Sequence, residues 1–321
     1  MHILITGGTG FLGRHVARLL LNHGHQVRLM GRDFTESSDL IAAGAVPLRA
    51  DLRDHAAVIA ACAGADAVVH AGALSAPWGP RRDFLAMNLG GTAAVIAGCR
   101  RHAMSRLVVI SSPAVIFTGR DHHNTTESAP YPRRPSSIYA HSKRLAEELV
   151  RAAPDVSAVI LRPKAIFGPG DRALLPRIVA AARAGRLPQI GHGRNLVDVT
   201  YVENVAHAIN LALTADAAIG RTYHITNDEH VPLWDLIREV LHRLGIPARL
   251  PTVPLSAMLA VATAMESRAA ITGHEPLLTR YSVAILARTQ TYDISAARRD
   301  LGYAPLVSVE AGVAKTLNHV V

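Results

Sequence analysis

Tyr139 and Lys143 lie four residues apart in the run Ser137-Ile138-Tyr139-Ala140-His141-Ser142-Lys143-Arg144-Leu145-Ala146-Glu147. On a helix that spacing is just over one turn, so a phenol and an ammonium leave the same face and can reach one bound molecule. The chemistry on offer is proton transfer. A tyrosine near its ordinary pKa of about 10 is a poor acid-base group at neutral pH, and a cation fixed beside it favours the phenolate and lowers that value. The 34 basic residues include three lysines, Lys143, Lys164 and Lys315, so a chain that otherwise uses arginine places a compact ammonium here. A Tyr and a Lys at this spacing also occur on exposed helices that do no chemistry, so the rest of the chain has to supply the setting.

That setting begins at the N-terminus. His2-Ile3-Leu4-Ile5-Thr6 is a short apolar run ending in Gly7-Gly8-Thr9-Gly10-Phe11-Leu12-Gly13, after which Leu12, Val16, Leu19 and Leu20 recur at helical spacing up to Gly24. The pattern predicts a strand, a glycine turn and a helix with a glycine stop. Glycines at 7, 10 and 13 let the backbone turn tightly, bring amides close to a pyrophosphate and let the helix pack on the strand, its N-terminus facing the phosphates. Gly7, Thr9, Gly10, Phe11, Leu12 and Gly13 are the expected phosphate-side residues of a dinucleotide site.

Residues 26–30 form the next strand, ending in Gly31-Arg32 where a site for NAD(H) would usually place an acidic residue for the ribose hydroxyls. Arg32 supplies a charge that can pair with a 2′-phosphate, so NADP(H) is the expected cofactor. NAD(H) is the alternative, in which Arg32 opens a solvated loop and Asp33 serves the ribose. A third strand at 46–49 is closed by Asp51-Leu52, placed for the adenine edge. A fourth, at 66–70, runs into Ala71-Gly72-Ala73, whose small side chains let a cofactor lie against the backbone. A helix over 83–101 carries Asn88, and a strand over 106–112 delivers Ser111 and Ser112 to the carboxyl edge, where ligands bind in such sheets. Residues 118–136, with Pro130, Pro132 and Pro135, read as a loop over the site. A sixth strand at 157–161 ends in Arg162-Pro163. Strands alternating with helices predict an α/β fold, a doubly wound parallel sheet of Rossmann type.

After Asp171 the pattern changes to a helix over 174–184, a turn at Gly191-His192-Gly193 and a short strand near 196–199. Residues 1–170, with 201–225 returning to the sheet, are expected to form the nucleotide-binding domain, and 171–200 with 226–321 a smaller C-terminal substrate-binding lobe. Apolar residues at 253–265, with Leu277, Leu278 and Tyr281, fit an apolar ligand under that lobe or its ordinary packing.

Composition narrows the partners. At 321 residues and 49% hydrophobic the chain can bury a real core. A net charge of +9 would permit nucleic-acid or anionic-membrane binding, but the arginines come as isolated pairs such as Arg81-Arg82, Arg133-Arg134 and Arg298-Arg299, so a solvated surface and no nucleic-acid partner are expected. The 17 histidines are scattered without metal-ligand spacing, and no metal is expected. Cys62 and Cys99 cannot form a disulfide framework, which fits a reducing compartment, and a strand pattern starting at His2 leaves no room for a cleavable presequence; the expected location is the cytoplasm. The most apolar segment, 253–265, is shorter than the roughly 20 residues a helix needs to cross a bilayer, so no stable membrane insertion is expected.

Taken together, Thr6-Gly7-Gly8-Thr9-Gly10-Phe11-Leu12-Gly13, Asp51-Leu52, His70-Ala71-Gly72-Ala73, Asn88, Ile110-Ser111-Ser112, Tyr139-x-x-x-Lys143 and Arg162-Pro163 resemble the extended short-chain dehydrogenase/reductase superfamily along nearly the whole chain. Within it, Ser112-Pro113-Ala114-Val115-Ile116-Phe117, Glu127-Ser128-Ala129-Pro130-Tyr131-Pro132, Gly168-Pro169-Gly170-Asp171 and Gly193-Arg194-Asn195-Leu196-Val197-Asp198 are similar to the 3β-hydroxysteroid dehydrogenase branch, which also holds sterol decarboxylating dehydrogenases and bacterial ketoreductases of olefin synthesis. The resemblance implies that Tyr139 exchanges a proton with the substrate oxygen while hydride moves between it and the nicotinamide. Lys143 would lower the phenol's pKa and hold the nicotinamide ribose, and Ser112 would fix the oxygen. The first residue of the family's serine triplet is Ile110 here, which leaves Ser111 open as the alternative to Ser112. Asn88 and Pro163 fall on the cofactor side of the motif, though a structural role for Asn88 fits equally. The implied reaction interconverts a secondary alcohol and a ketone on an apolar substrate, a 3-keto or 3-hydroxy acid or a sterol-like ring, in a homodimer. A nucleotide-sugar epimerase or dehydratase, with Arg194 holding a diphosphate, and a non-catalytic NADP(H) sensor are the rivals.

Overall fold

Each of the first five strands is short and bounded by a turn. They are β1 (His2–Thr6), β2 (Gln26–Gly31), β3 (Val46–Arg49), β4 (Ala67–His70) and β5 (Arg106–Ile110), followed by β6 (His122–Thr125) and β7 (Ala158–Pro163) in a computed structural model that describes residues 1–247 and 249–319. The main sheet has seven strands, all parallel, in the order Thr222–Ile225, β7, β5, β4, β1, β2, β3. β4, β5 and β7 are buried at every position, as a sheet covered by helices on both faces requires. One covering layer joins Val16 and Leu20 to Val205 and Ile209; the other joins Val58, Val95, Ile96 and Val150. Strand order reverses direction between β1 and β4, and that switch point opens a crevice at the carboxyl edge.

The helix Phe11–Asn22 buries Val16, Ala17 and Leu20 and stops at Gly24, whose φ of +80° is a left-handed turn. Residues 81–101 are one continuous helical stretch, but its middle, Leu85–Gly90, is wound as a π-turn that carries Asn88. The polar segment 118–136 is not wholly loop. β6 pairs in parallel with the strand Gln290–Tyr292 and forms the edge of a second, four-stranded sheet. Nothing in His-His-Asn-Thr has a strand period; the partner strand, some 165 residues later in sequence, makes it one.

The rest of the second sheet is built of two-residue strands, Leu196–Val197 and Val231–Pro232. Packing holds this part of the chain: Trp234, Ile237, Leu241, Met258 and Val283 form a separate core, with the Trp234 indole donating to the Leu286 carbonyl at 3.2 Å. Among the described residues no helix is long and apolar enough to cross a membrane, and Cys62 and Cys99 are free and buried.

Candidate active site

The helix Ile138–Arg151 starts at Ser137, whose hydroxyl accepts the Ala140 amide at 3.0 Å. Its buried stripe is Ala140, Lys143, Glu147 and Val150, spaced three and four apart. Packing the helix therefore carries a lysine and a glutamate inward. Lys143 is 3% exposed and donates to the Ile110 carbonyl at 2.5 Å. Burial pushes its ammonium down to about 8, against the pull of Glu147.

The Tyr139 phenol, on the same helix, lies near the Ser75 and Ser112 hydroxyls. Burial raises its pKa, and the two hydroxyls draw it only part of the way back. From the four-residue spacing, Lys143 is expected to lower this value. In the fold, desolvation of the phenol dominates, and the Lys143 ammonium turns to a backbone carbonyl.

The two serines separate as successive residues of an extended chain do. Ser111 points inward and donates to Glu147 Oε1 at 2.5 Å. Ser112 caps the short turn Pro113–Ile116, accepting the Ala114 amide at 3.2 Å, and it is Ser112 that faces Tyr139. Behind them Glu147 also accepts from Tyr131 at 2.5 Å and from Arg162 at 2.8 and 2.6 Å. Burial alone would raise the Glu147 carboxyl, but Arg162 and the two hydroxyls outweigh it and hold it below the usual carboxylate range.

Ser75 escapes sequence reading because no motif surrounds it. Asn88 explains its placement: Oδ1 accepts the Leu74 amide at 2.7 Å, while Nδ2 donates to the Leu74 carbonyl at 3.1 Å and to Ser142 Oγ at 2.9 Å. Ser142 in turn donates to the Tyr139 carbonyl at 2.8 Å. Asn88 thus clamps the loop after β4 to the Tyr139 helix. His70, between Thr6 at 2.7 Å and Thr92 at 3.0 Å, is pushed down to about 3 by burial and by Lys143 and stays neutral.

The glycine turn is shaped for close approach. Gly7 has a φ of +66°, and a Cβ there would stand 2.6 Å from Gly72 Cα; one on Gly13 would stand 2.2 Å from the Gly7 carbonyl oxygen. Gly10 caps the helix Phe11–Asn22 with no side-chain hydrogen bond, so Phe11, Leu12 and Gly13 present amides with no internal acceptor to the crevice beside Ala71, Gly72 and Ala73. These residues fit a dinucleotide pyrophosphate. At the end of β2, a Cβ on Gly31 would meet Thr9 Oγ1 at 2.5 Å, so Thr9 occupies the space an acidic side chain would need. The Arg32 side chain is 69% exposed and 3.9 Å from Asp51, whose carboxylate is held at about 2 chiefly by Arg53, at 2.7 and 3.0 Å. Asp33 is engaged by the Thr35 amide and hydroxyl. Leu52 turns inward against Gly72 and Gly91. Pro163 ends β7 beside β5.

Tyr281 brings a second ring near Tyr139, edge-on to Phe117 at 6.2 Å. Leu277, expected to lie under a substrate lobe, is 78% exposed, and Met258 and Ala262 of the segment 253–265 belong to the separate core around Trp234. The apolar cavity, about 130 Å³, lies instead between Leu174, Leu175, Leu236, Ile285, Val313 and Leu317, with Lys164 and Asp198 in its wall. Arg194 sits exposed on its turn and is not part of that lining.

A family model described as the 3-beta hydroxysteroid dehydrogenase/isomerase family matches residues 4–255. The chain is 38% identical, over 98% of its length and 97% of the relative's, to a 2-alkyl-3-oxoalkanoate reductase of Stenotrophomonas maltophilia (strain K279a). It is 33% identical, over 98% of its length and 89% of the relative's, to a decarboxylating sterol-4-alpha-carboxylate 3-dehydrogenase of Mus musculus. A dTDP-glucose 4,6-dehydratase from Streptomyces venezuelae, solved with NAD bound, superposes with a TM-score of 0.80 at 24% identity, covering 99% of this chain and 96% of the other; at that identity the likeness is one of fold.

Proposed function

Because the chain belongs to the 3-beta hydroxysteroid dehydrogenase/isomerase family and is an oxidoreductase using a nicotinamide cofactor, we propose that it reduces the ketone of an apolar 3-oxo acid with NADPH. The observation that carries this reading is the convergence of Tyr139, Ser112 and Ser75 at the carboxyl edge, with Lys143 one turn along the same helix. With its pyrophosphate held in the glycine crevice, a bound NADPH would supply the hydride that goes to the carbonyl carbon. Ser112 and Tyr139 hold the carbonyl oxygen, and Tyr139 donates its proton to it as the carbon–oxygen double bond becomes single. A phenol raised by burial rests protonated, as a donor must. Lys143, still largely an ammonium at neutral pH, stabilises the phenolate left behind.

The preference for the 2′-phosphorylated cofactor is supported by Gly31 closed off by Thr9 and by Arg32 projecting at the end of β2, with Arg49 donating to its carbonyl at 3.0 Å. The acid is supported by both relatives, whose names carry a carboxylate on an apolar frame. The test is oxidation of NADPH and NADH with 2-alkyl-3-oxo acids and 3-ketosteroids, for wild type and Tyr139→Phe. The expected result is turnover with NADPH and the acids that falls roughly 10²- to 10⁴-fold in the variant. Equal turnover by Tyr139→Phe would sink the assignment.

A further inference from the structure

Lys164 is the second of the chain's three lysines and has no part in the proton transfer above. It follows Pro163 directly, one residue past the strand that pairs with β5, so it lies just beyond the edge where Ser112 faces Tyr139. Ala165 then takes a φ of +44°, a left-handed conformation uncommon for a residue with a Cβ. Lys164 is one of the residues lining the apolar cavity. Its Nζ donates to Gln290 Oε1 at 2.7 Å, and among the described residues no other hydrogen-bond acceptor and no carboxylate within 4 Å is paired with it. An ammonium has three N–H donors. One neutral amide leaves two without acceptors in a residue that lines a mostly apolar cavity.

The other polar side chains in the wall are already committed: Asp198 Oδ1 holds His230 Nδ1 at 2.6 Å and its Oδ2 accepts the Tyr292 amide at 2.7 Å, and the Thr316 hydroxyl donates to the Gly312 carbonyl at 2.6 Å. The cavity therefore has one end able to take an anion and a body able to take a chain. We propose that Lys164 and this cavity form the anchoring site for an aliphatic carboxylate, the carboxylate resting on Lys164 Nζ and an alkyl chain lying against Leu175, Leu236, Val313 and Leu317. The inference rests on the reductase reading only in making this ligand the substrate.

Occupancy has a signature that packing lacks. Burial pushes the Lys164 ammonium down to about 8, with Asp198 opposing; His122 and the Tyr292 ring are the other groups facing it. A bound carboxylate raises that value, so binding at pH 8 draws in a proton.

The experiment is calorimetry with dodecanoate and with 1-dodecanol at pH 8 in two buffers of different ionisation enthalpy, for wild type, Lys164→Met and Leu236→Trp. Wild type is expected to bind dodecanoate with net proton uptake. Lys164→Met should weaken dodecanoate roughly ten- to a hundredfold and leave dodecanol within about threefold, because a charge-assisted hydrogen bond is lost and the apolar contact is kept. Leu236→Trp should weaken both ligands by filling the cavity. No dodecanoate binding by wild type, binding without proton uptake, or equal affinity in Lys164→Met would each overturn the site. The proton count is read on the wild type, so it stands even if a variant misfolds. Since no turnover is involved, failure here leaves the Tyr139 reading to its own assay.

Discussion

Two charged clusters stand side by side at the carboxyl edge, and they are treated in opposite ways. Around Glu147 every oxygen is spoken for: Ser111, Tyr131 and a two-point contact from Arg162 surround a carboxylate that is, like Arg162, 1% exposed on its side chain. Lys143 and Lys164, on the neighbouring turn and the neighbouring strand, each donate to a single neutral oxygen. A carboxylate with both oxygens held fixes geometry, although Arg162 Nη1 is buried without a hydrogen-bond partner, whereas an ammonium with spare donors can still accept an anion. The ordered pull of Glu147 and Arg162 ties the Tyr139 helix to β7 and so sets the platform on which the lysines and the phenol work.

The strongest way to break this contrast is to open the closed cluster. Glu147→Gln leaves Arg162 buried without its counter-charge, and stability measured by urea unfolding at pH 7 should fall by about 3–5 kcal/mol. Because the Glu147 pKa is depressed in the folded state, its contribution is present above the unfolded carboxylate value and is lost as pH falls through the folded one. The wild type should lose stability on acidification below about pH 4.5 more steeply than the variant does.

Asn88→Ala sharpens the comparison within the same scaffold. It frees the Leu74 backbone and Ser142, and should cost about 1–3 kcal/mol while loosening the loop that presents Ser75. Faster amide exchange at Leu74 than at Val69 would report it.

Arg32→Ser probes a charge with spare donors on the surface. The expected effect is a roughly tenfold rise in KM for NADPH with KM for NADH nearly unchanged, worth about 1.4 kcal/mol and shrinking as salt is added. Equal changes for both cofactors would assign Arg32 to the solvated loop.

Lys164→Met should have the smallest effect on stability, within about 1 kcal/mol at pH 7, because losing a desolvated charge offsets the hydrogen bond taken from Gln290. The sign follows from the lowered value. A base held at about 8 in the fold and about 10.5 when unfolded penalises the fold below pH 8, and stability rises with pH between the two as the penalty is relieved. Lys164→Met should flatten that rise, and Glu147→Gln should leave it in place.

Much of the site was legible because its chemistry is carried by local spacing. Gly7, Gly10 and Gly13 sit where one strand turns into one helix, and Tyr139 and Lys143 share one helical turn; both follow from 3.6- and 2-residue periods acting within single elements. Ser75 was not legible, since its position depends on Asn88 reaching across from a π-turn. For 253–265 the sequence left an apolar ligand or ordinary packing open; Met258 and Ala262 join the core around Trp234, while the cavity is lined from six separate segments that no local pattern connects. β6 reads as polar loop until Gln290–Tyr292 pairs with it.

By itself, then, the sequence determined the family, the parallel sheet and the phosphate turn, because each is written in residues close together in the chain. The tertiary structure decided which serine meets the phenol, why Asn88 is needed, that burial and not Lys143 governs the Tyr139 pKa, and that Lys164 comes to line an apolar cavity. Those outcomes depend on strand register and desolvation, which arise between residues distant in sequence and exist only once the chain has packed.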